Sequence, residues 1–108
     1  MGAKTFINQT GHDLYIQLTV REGDEPGTAA DVPNFQLANA QPPYFFQYSV
    51  DINPYLDGII ANATDNGNIA GELYVFTRGD DSDNAMNMNN TVTFSLQDQT
   101  IVLNCTNQ

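Results

Sequence analysis

Residues 13–21, "DLYIQLTVR", alternate without a break: Leu14, Ile16, Leu18 and Val20 fall on one side, Tyr15, Gln17, Thr19 and Arg21 on the other. A period of two marks a strand with one buried face. Everything on either side of it reads the same way. "NQTGHD" (8–13) is a turn, and "KTFIN" (4–8) ahead of it is a shorter strand, so a β-meander is expected to open the domain. "REGDEPGTAADVP" (21–33) mixes Gly, Pro and acids with no period and is expected to be a long exposed connection.

"NFQLA" (34–38) points Phe35 and Leu37 inward and must end before Pro42-Pro43, which cannot join a ladder interior. "YFFQYSV" (44–50) places Tyr44, Phe46, Tyr48 and Val50 on one face and leaves Phe45 as the apolar residue on the other. Its aromatic content predicts a central strand. "DINPYLDG" (51–58) reads as a corner, with Pro54 restricting Asn53 and Gly58 supplying a positive φ. "IIANAT" and "IAGELYVFTR" flank Asn66-Gly67, a strong hairpin signal. "TVTFSL" buries Val92, Phe94 and Leu96, "QDQ" turns the chain, and "TIVLNC" closes the domain. About eight short strands, turn signals at roughly ten-residue intervals and no amphipathic helix predict one all-β domain over 1–108. The expected form is an antiparallel β-sandwich, with a small barrel as the alternative.

Lys4, Arg21 and Arg78 face 13 acids, for a formal net charge of −10. Nucleic-acid binding needs a basic footprint that this chain does not have, and a polybasic membrane patch is excluded by the same count. No run approaches the roughly 20 apolar residues of a spanning helix, so no membrane insertion is expected. Residues 1–20 lack the regions of a signal peptide. The expected setting is the cytoplasm, or a mature exported form. Cys105 is the sole cysteine and His12 the sole histidine, which excludes a zinc site built on short Cys/His spacings. Asn8, Asn62, Asn89 and Asn104 begin N-x-S/T sequons, which matter only in a eukaryotic secretory setting.

His12, beside Asp13 in the first turn, would have to serve any Ser-His or Cys-His arrangement. Ser49, Ser82, Ser95 and Cys105 are the available nucleophiles, and none stands in a nucleophile-elbow context. No catalysis is expected.

The chemistry-bearing stretch is "TRGDDSDNAMNMNN" (77–90). Asp80, Asp81, Asp83, Asn84 and Asn87 offer the oxygen ligands that calcium takes. The register is not that of an EF-hand, because the sixth-position Gly and twelfth-position Glu are missing. The order of Asp and Asn before a closing strand is loosely similar to the calcium loop of small bacterial two-calcium lectins. That resemblance implies ions that hold sugar hydroxyls, although Ala85 and Met88 stand where acids would be wanted. A bland reading of the same segment is a short helix capped by Ser82, with Met86 packed inward. Arg78-Gly79-Asp80 matches an adhesion tripeptide, and a strand end followed by a glycine bend explains it equally well.

The expected function is therefore a non-enzymatic binding module, calcium-assisted or carbohydrate-binding through the acidic loop 80–90. The alternative is a structural or self-assembling protein that forms a homo-oligomer through sheet edges or through the aromatic face marked by Phe45.

Overall fold

The computed structural model describes residues 2–21, 29–49 and 55–108. Most of the expected connection after Arg21 (22–28), Val50 and the corner residues 51–54 lie outside the described residues. In chain order the elements are β1 (Gly2–Gln9), β2 (Leu14–Arg21), β3 (Ala29–Asp31), β4 (Asn34–Leu37), β5 (Tyr44–Ser49), β6 (Leu56–Ala63), β7 (Ala70–Tyr74), α1 (Asp81–Asn87), β8 (Thr91–Gln97) and β9 (Thr100–Thr106). The all-β expectation holds. The strands form one sheet in the order β3-β2-β6-β7-β9-β8-β1-β5, with β4 also paired to β2. The sheet curls until its ends nearly meet, so the arrangement is the barrel rather than two separate sheets.

Alternation positions the core. Leu14, Ile16, Leu18 and Val20 of β2 are all buried, as their spacing requires, and they meet Phe6, Val92 and Phe94 from the other half of the sheet. Aromatic rings close the seam where the ladder stops. Phe35 of β4 lies 4.6 Å from Phe46 and 5.3 Å from Tyr44 of β5, and 5.0 Å from Phe6 of β1, measured between ring centroids. Such contacts contribute about 0.5–1.5 kcal/mol each beyond simple burial. The seam is thus sealed by side chains without a backbone ladder between β4 and β5.

Several expectations are corrected. No meander opens the domain: β1 pairs with β5 and β8, whereas β2 pairs with β3, β4 and β6. The turn at 10–13 is an arch that carries the chain from one half of the barrel to the other. Buried Asn8 holds that arch, donating to the carbonyls of His12, Leu37 and Ala38 and accepting from the Thr10 amide and hydroxyl. Its enclosure also removes Asn8 from the sequons that could carry a glycan. β5 ends the strand path instead of lying at its centre.

Part of the expected connection is ordered as β3, which continues the edge beside β2 after a break at Pro33. The carbonyl of Pro33 still accepts from the Leu18 amide at 2.9 Å, because a proline lacks a donor but keeps its acceptor. The β6–β7 hairpin forms, but Gly67 does not take positive φ. Instead Asn66 Oδ1 accepts from the Asn68 amide, and the Ala63 amide closes the loop on the Ile69 carbonyl.

Gly71 marks the place where β7 and β9 converge. These strands run parallel and share a single paired position, Ala70 with Thr100. A Cβ on Gly71 would sit 2.0 Å from the Ile101 carbonyl oxygen, so only glycine permits the approach. Gly71→Ala should lower the unfolding free energy by about 1–3 kcal/mol or more, by forcing backbone against backbone. Gly67→Ala, where an added Cβ meets nothing within 4 Å, should stay within about 0.5 kcal/mol of the parent. Urea unfolding of the two variants checks the contrast.

Candidate functional site

The acidic segment is built around a residue that the alternation assigns to the outside. Arg21 is 3 % exposed. The β2 ladder shifts register between Thr19 and Val20 on the β6 side, and between Val20 and Arg21 on the β3 side. These bulges swing Arg21 out of the outward row and into the protein, because an extra residue in one strand re-aims the next side chain. Its Nε donates to Asp57 Oδ1 at 2.7 Å; its Nη2 donates to Asp83 Oδ1 at 3.0 Å and to the Leu56 carbonyl at 3.2 Å. The guanidinium also lies 5.5 Å from the centre of the Tyr55 ring, within cation–π range.

Asp83 is the hinge between this cluster and α1. Its Oδ1 also accepts from Asn87 Nδ2 at 2.7 Å, and its Oδ2 accepts from the Gly79 amide at 2.7 Å. Asn87 in turn clips the helix to β6, accepting from the Leu56 amide at 2.7 Å and donating to the Leu56 carbonyl at 2.9 Å. Asp80, not Ser82, caps the helix. Its Oδ1 accepts from the Asp83 amide and its Oδ2 from the amides of Phe76 and Thr77. Gly79 holds φ at +83°, a bend that a side chain would resist, so Gly79 and Asp80 of the Arg-Gly-Asp tripeptide each have a structural role. Asn84 Nδ2 returns to the Gly79 carbonyl at 3.3 Å, Asp81 is exposed, and Met86 is fully buried as the helix reading expects.

The five expected calcium ligands are therefore brought to one helix and its cap. Two of the carboxylates, Asp80 and Asp83, spend their oxygens on backbone amides, Arg21 and Asn87. Among the described residues no three His, Cys, Asp or Glu side chains gather as a metal-holding group. Burial alone would raise the pKa of Asp83, but the Gly79 amide, Asn87 and Arg21 outweigh it and hold the carboxyl below its ordinary 3.8. The cap hydrogen bonds from Asp83, Thr77 and Phe76 lower Asp80 likewise.

Phe45 is 63 % exposed on the outer face of β5. Its row across the barrel is Phe45, Thr5, Thr91 and Thr106; the next contains Ile7, Thr93 and Asn104, and the next Gln9, Ser95 and Val102. No outward position on β5, β1, β8 or β9 carries a charge. Lys4, the charged residue of these four strands, points inward, is 5 % exposed, and donates from Nζ to the Asn89 carbonyl. Burial lowers its pKa, a shift partly opposed by Cys105. Two of the three bases are thus buried, and Arg78 is the exposed one.

His12 sits at the surface with Nδ1 3.0 Å from both Asp65 carboxylate oxygens, and no Ser or Cys joins it among the described residues. No helix among them is long and apolar enough to cross a membrane. Comparisons with protein-family models, with curated proteins and with solved structures found no match for this chain.

Removing one member of a buried ionic cluster leaves the others uncompensated. Arg21→Met should therefore lower the unfolding free energy at neutral pH by about 3–5 kcal/mol. The pH dependence has a defined sign. Asp83 is held below 3.8 in the folded state, so its stabilisation is complete above that pH and is lost as pH falls through the folded value. The gap between parent and Arg21→Met should narrow as pH falls through the folded value of Asp83, where the parent loses the contribution that Arg21 makes to holding that carboxylate. Urea midpoints measured from pH 7 down to the acid limit test both statements.

Proposed function

We propose that this protein acts by association without catalysis, and that the outer face of β5-β1-β8-β9 is where a second copy docks. The observation that carries the reading is the absence of charge from the outward positions of four adjacent strands in a chain of net charge −10. Two copies repel one another over most of their surfaces. Contact is least opposed where neither presents a carboxylate, and charged residues are depleted at the centres of protein interfaces. Phe45 and Val102, 63 % and 37 % exposed, supply apolar area there, and half-buried Thr5 and Thr93 supply hydroxyls that both donate and accept.

Magnitude sets the character of the association. Four strands at about 4.8 Å spacing and about seven residues at 3.3 Å give a face of roughly 19 by 23 Å. The pair would bury roughly 900 Å² in total, below the about 1,200 Å² at which stable specific interfaces begin and among the weak, transient ones. The dimer is accordingly weak and concentration-dependent. Its electrostatics oppose assembly, so added salt strengthens it by screening the repulsion, the reverse of an interface held by ion pairs.

Sedimentation or light scattering should show the mean mass rising with protein concentration and with salt. Phe45→Lys should hold the chain monomeric under the same conditions while leaving its unfolding midpoint near the parent's. A parent that stays monomeric throughout the concentration and salt series overturns the proposal.

On this reading the 80–90 segment is scaffold. An ion at Asp80 and Asp83 would have to displace three backbone amides from one, and Arg21, Asn87 and the Gly79 amide from the other. Millimolar calcium should leave the thermal midpoint where a chelator leaves it. A calcium-dependent rise, which mass action requires of any ion bound to the native state, restores the calcium-assisted reading.

A further inference from the structure

The opposite face of the barrel, formed by β4-β2-β6-β7, carries a different arrangement. Across it Tyr15 of β2 pairs with Asn62 of β6, and Gln17 pairs with Ile60, which pairs with Glu72 of β7. One position further along, Gly58 pairs with Tyr74. The place where a Cβ on Gly58 would stand lies 2.7 and 2.8 Å from two carbons of the Tyr74 ring. The ring edge that carries those two carbons therefore packs over the glycine, an arrangement that stabilises a strand glycine, and Tyr74 as a whole is half-buried.

On the same face, two residues along β7 from Tyr74, a groove of about 470 Å³ opens between β7 and β9, lined by Ile60, Asn62, Glu72 and Thr100 among others. That volume is in the range of small-ligand sites, about 300–1,000 Å³. The side chains of Gln17, Asn62 and Glu72 make no hydrogen bond to any described residue. Asn8, Asn66, Asn87 and Asn90, by contrast, are all tied to backbone or to other side chains. Those amides build the fold, and the ones on this face do not.

We propose that the groove and the Tyr74 platform bind a neutral saccharide. The ring offers an apolar surface for the C–H face of a sugar, and Asn62 and Gln17 each donate and accept, as sugar hydroxyls do. Glu72 adds one acceptor-rich carboxylate. It stands close enough to Tyr74 to raise the phenol's pKa, second to burial as a cause. An anionic ligand is opposed by the net charge of the chain. This site is separate from the β5-β1-β8-β9 face, and either can fail without the other.

The probes are cellopentaose, laminaripentaose, xylopentaose, mannopentaose and chitopentaose, with an oligogalacturonate as the acidic comparison. They are titrated into labelled protein and followed by amide chemical shifts. At least one neutral oligosaccharide should bind, with shifts confined to β2, β6, β7 and the start of β9. Asn62→Ala, on the surface of its strand, should weaken binding by about tenfold, the cost of one lost hydrogen bond. Tyr74→Ala should abolish it, while Phe45→Lys should leave it unchanged. The proposal is overturned if no neutral probe binds at millimolar concentration, if only the acidic probe binds, or if the shifts fall elsewhere. It is equally overturned if binding survives Asn62→Ala and Tyr74→Ala undiminished.

Discussion

One buried cation organises one end of this barrel. Arg21 ends β2, Asp57 stands near the start of β6, and Asp83 lies in the first turn of α1, so a single guanidinium joins three parts of the chain that are distant in sequence. Two carboxylates around one arginine leave the cluster formally anionic. That is sustainable only because the remaining acceptor capacity is met by the Gly79 amide and the Asn87 side chain. The helix is too short to persist by its own propensity. It persists because Met86 enters the core on one side while Asp83 and Asn87 bind Arg21 and β6 on the other.

This use of the acids changes what the charge of the chain means. A net −10 on 108 residues suggests a surface that seeks cations. In the structure several acids work inside or against the protein: Asp57 and Asp83 on Arg21, Asp80 on three amides, and Asp65 on His12. The rest of the described carboxylates lie mainly in the connections between strands, where they solvate the ends of the barrel and oppose unspecific association. The two broad sheet faces are left almost free of charge. The electrostatics that would repel a copy or an anion at the ends therefore do not forbid contact on the sides.

Sequence periodicity located the strands well because one side of each is buried, and a period of two follows directly from that. β2, β4, β8 and the inward set of β5 were all legible in this way. What escaped was whatever depends on a break in the period or on contacts across the chain. Arg21 reads as outward by simple alternation, and the bulges that turn it inward leave no mark in the residue types. Asn8 looks like a loop asparagine, yet it is the buried clasp of an arch, since nothing local says that β1 and β2 belong to opposite halves of the barrel. Gly58 resembles a turn residue. Its role is steric, making room for the ring of a residue sixteen positions later. The acidic segment was recognised as distinctive and as helix-compatible, but its cap was assigned to Ser82 because the partners of Asp80, at Phe76 and Thr77, precede the helix altogether.

The two faces also bear on one another. Phe6 of β1 packs against Phe35 of β4 through the core, so the β5-β1-β8-β9 and β4-β2-β6-β7 halves back onto one another and their outer surfaces point apart. If both proposals hold, a second copy seated on the first face leaves the β7–β9 groove of each copy open and directed away from the contact. Two such sites facing opposite ways suit two separate glycan chains better than one, because a single chain would have to pass around the whole particle to reach both.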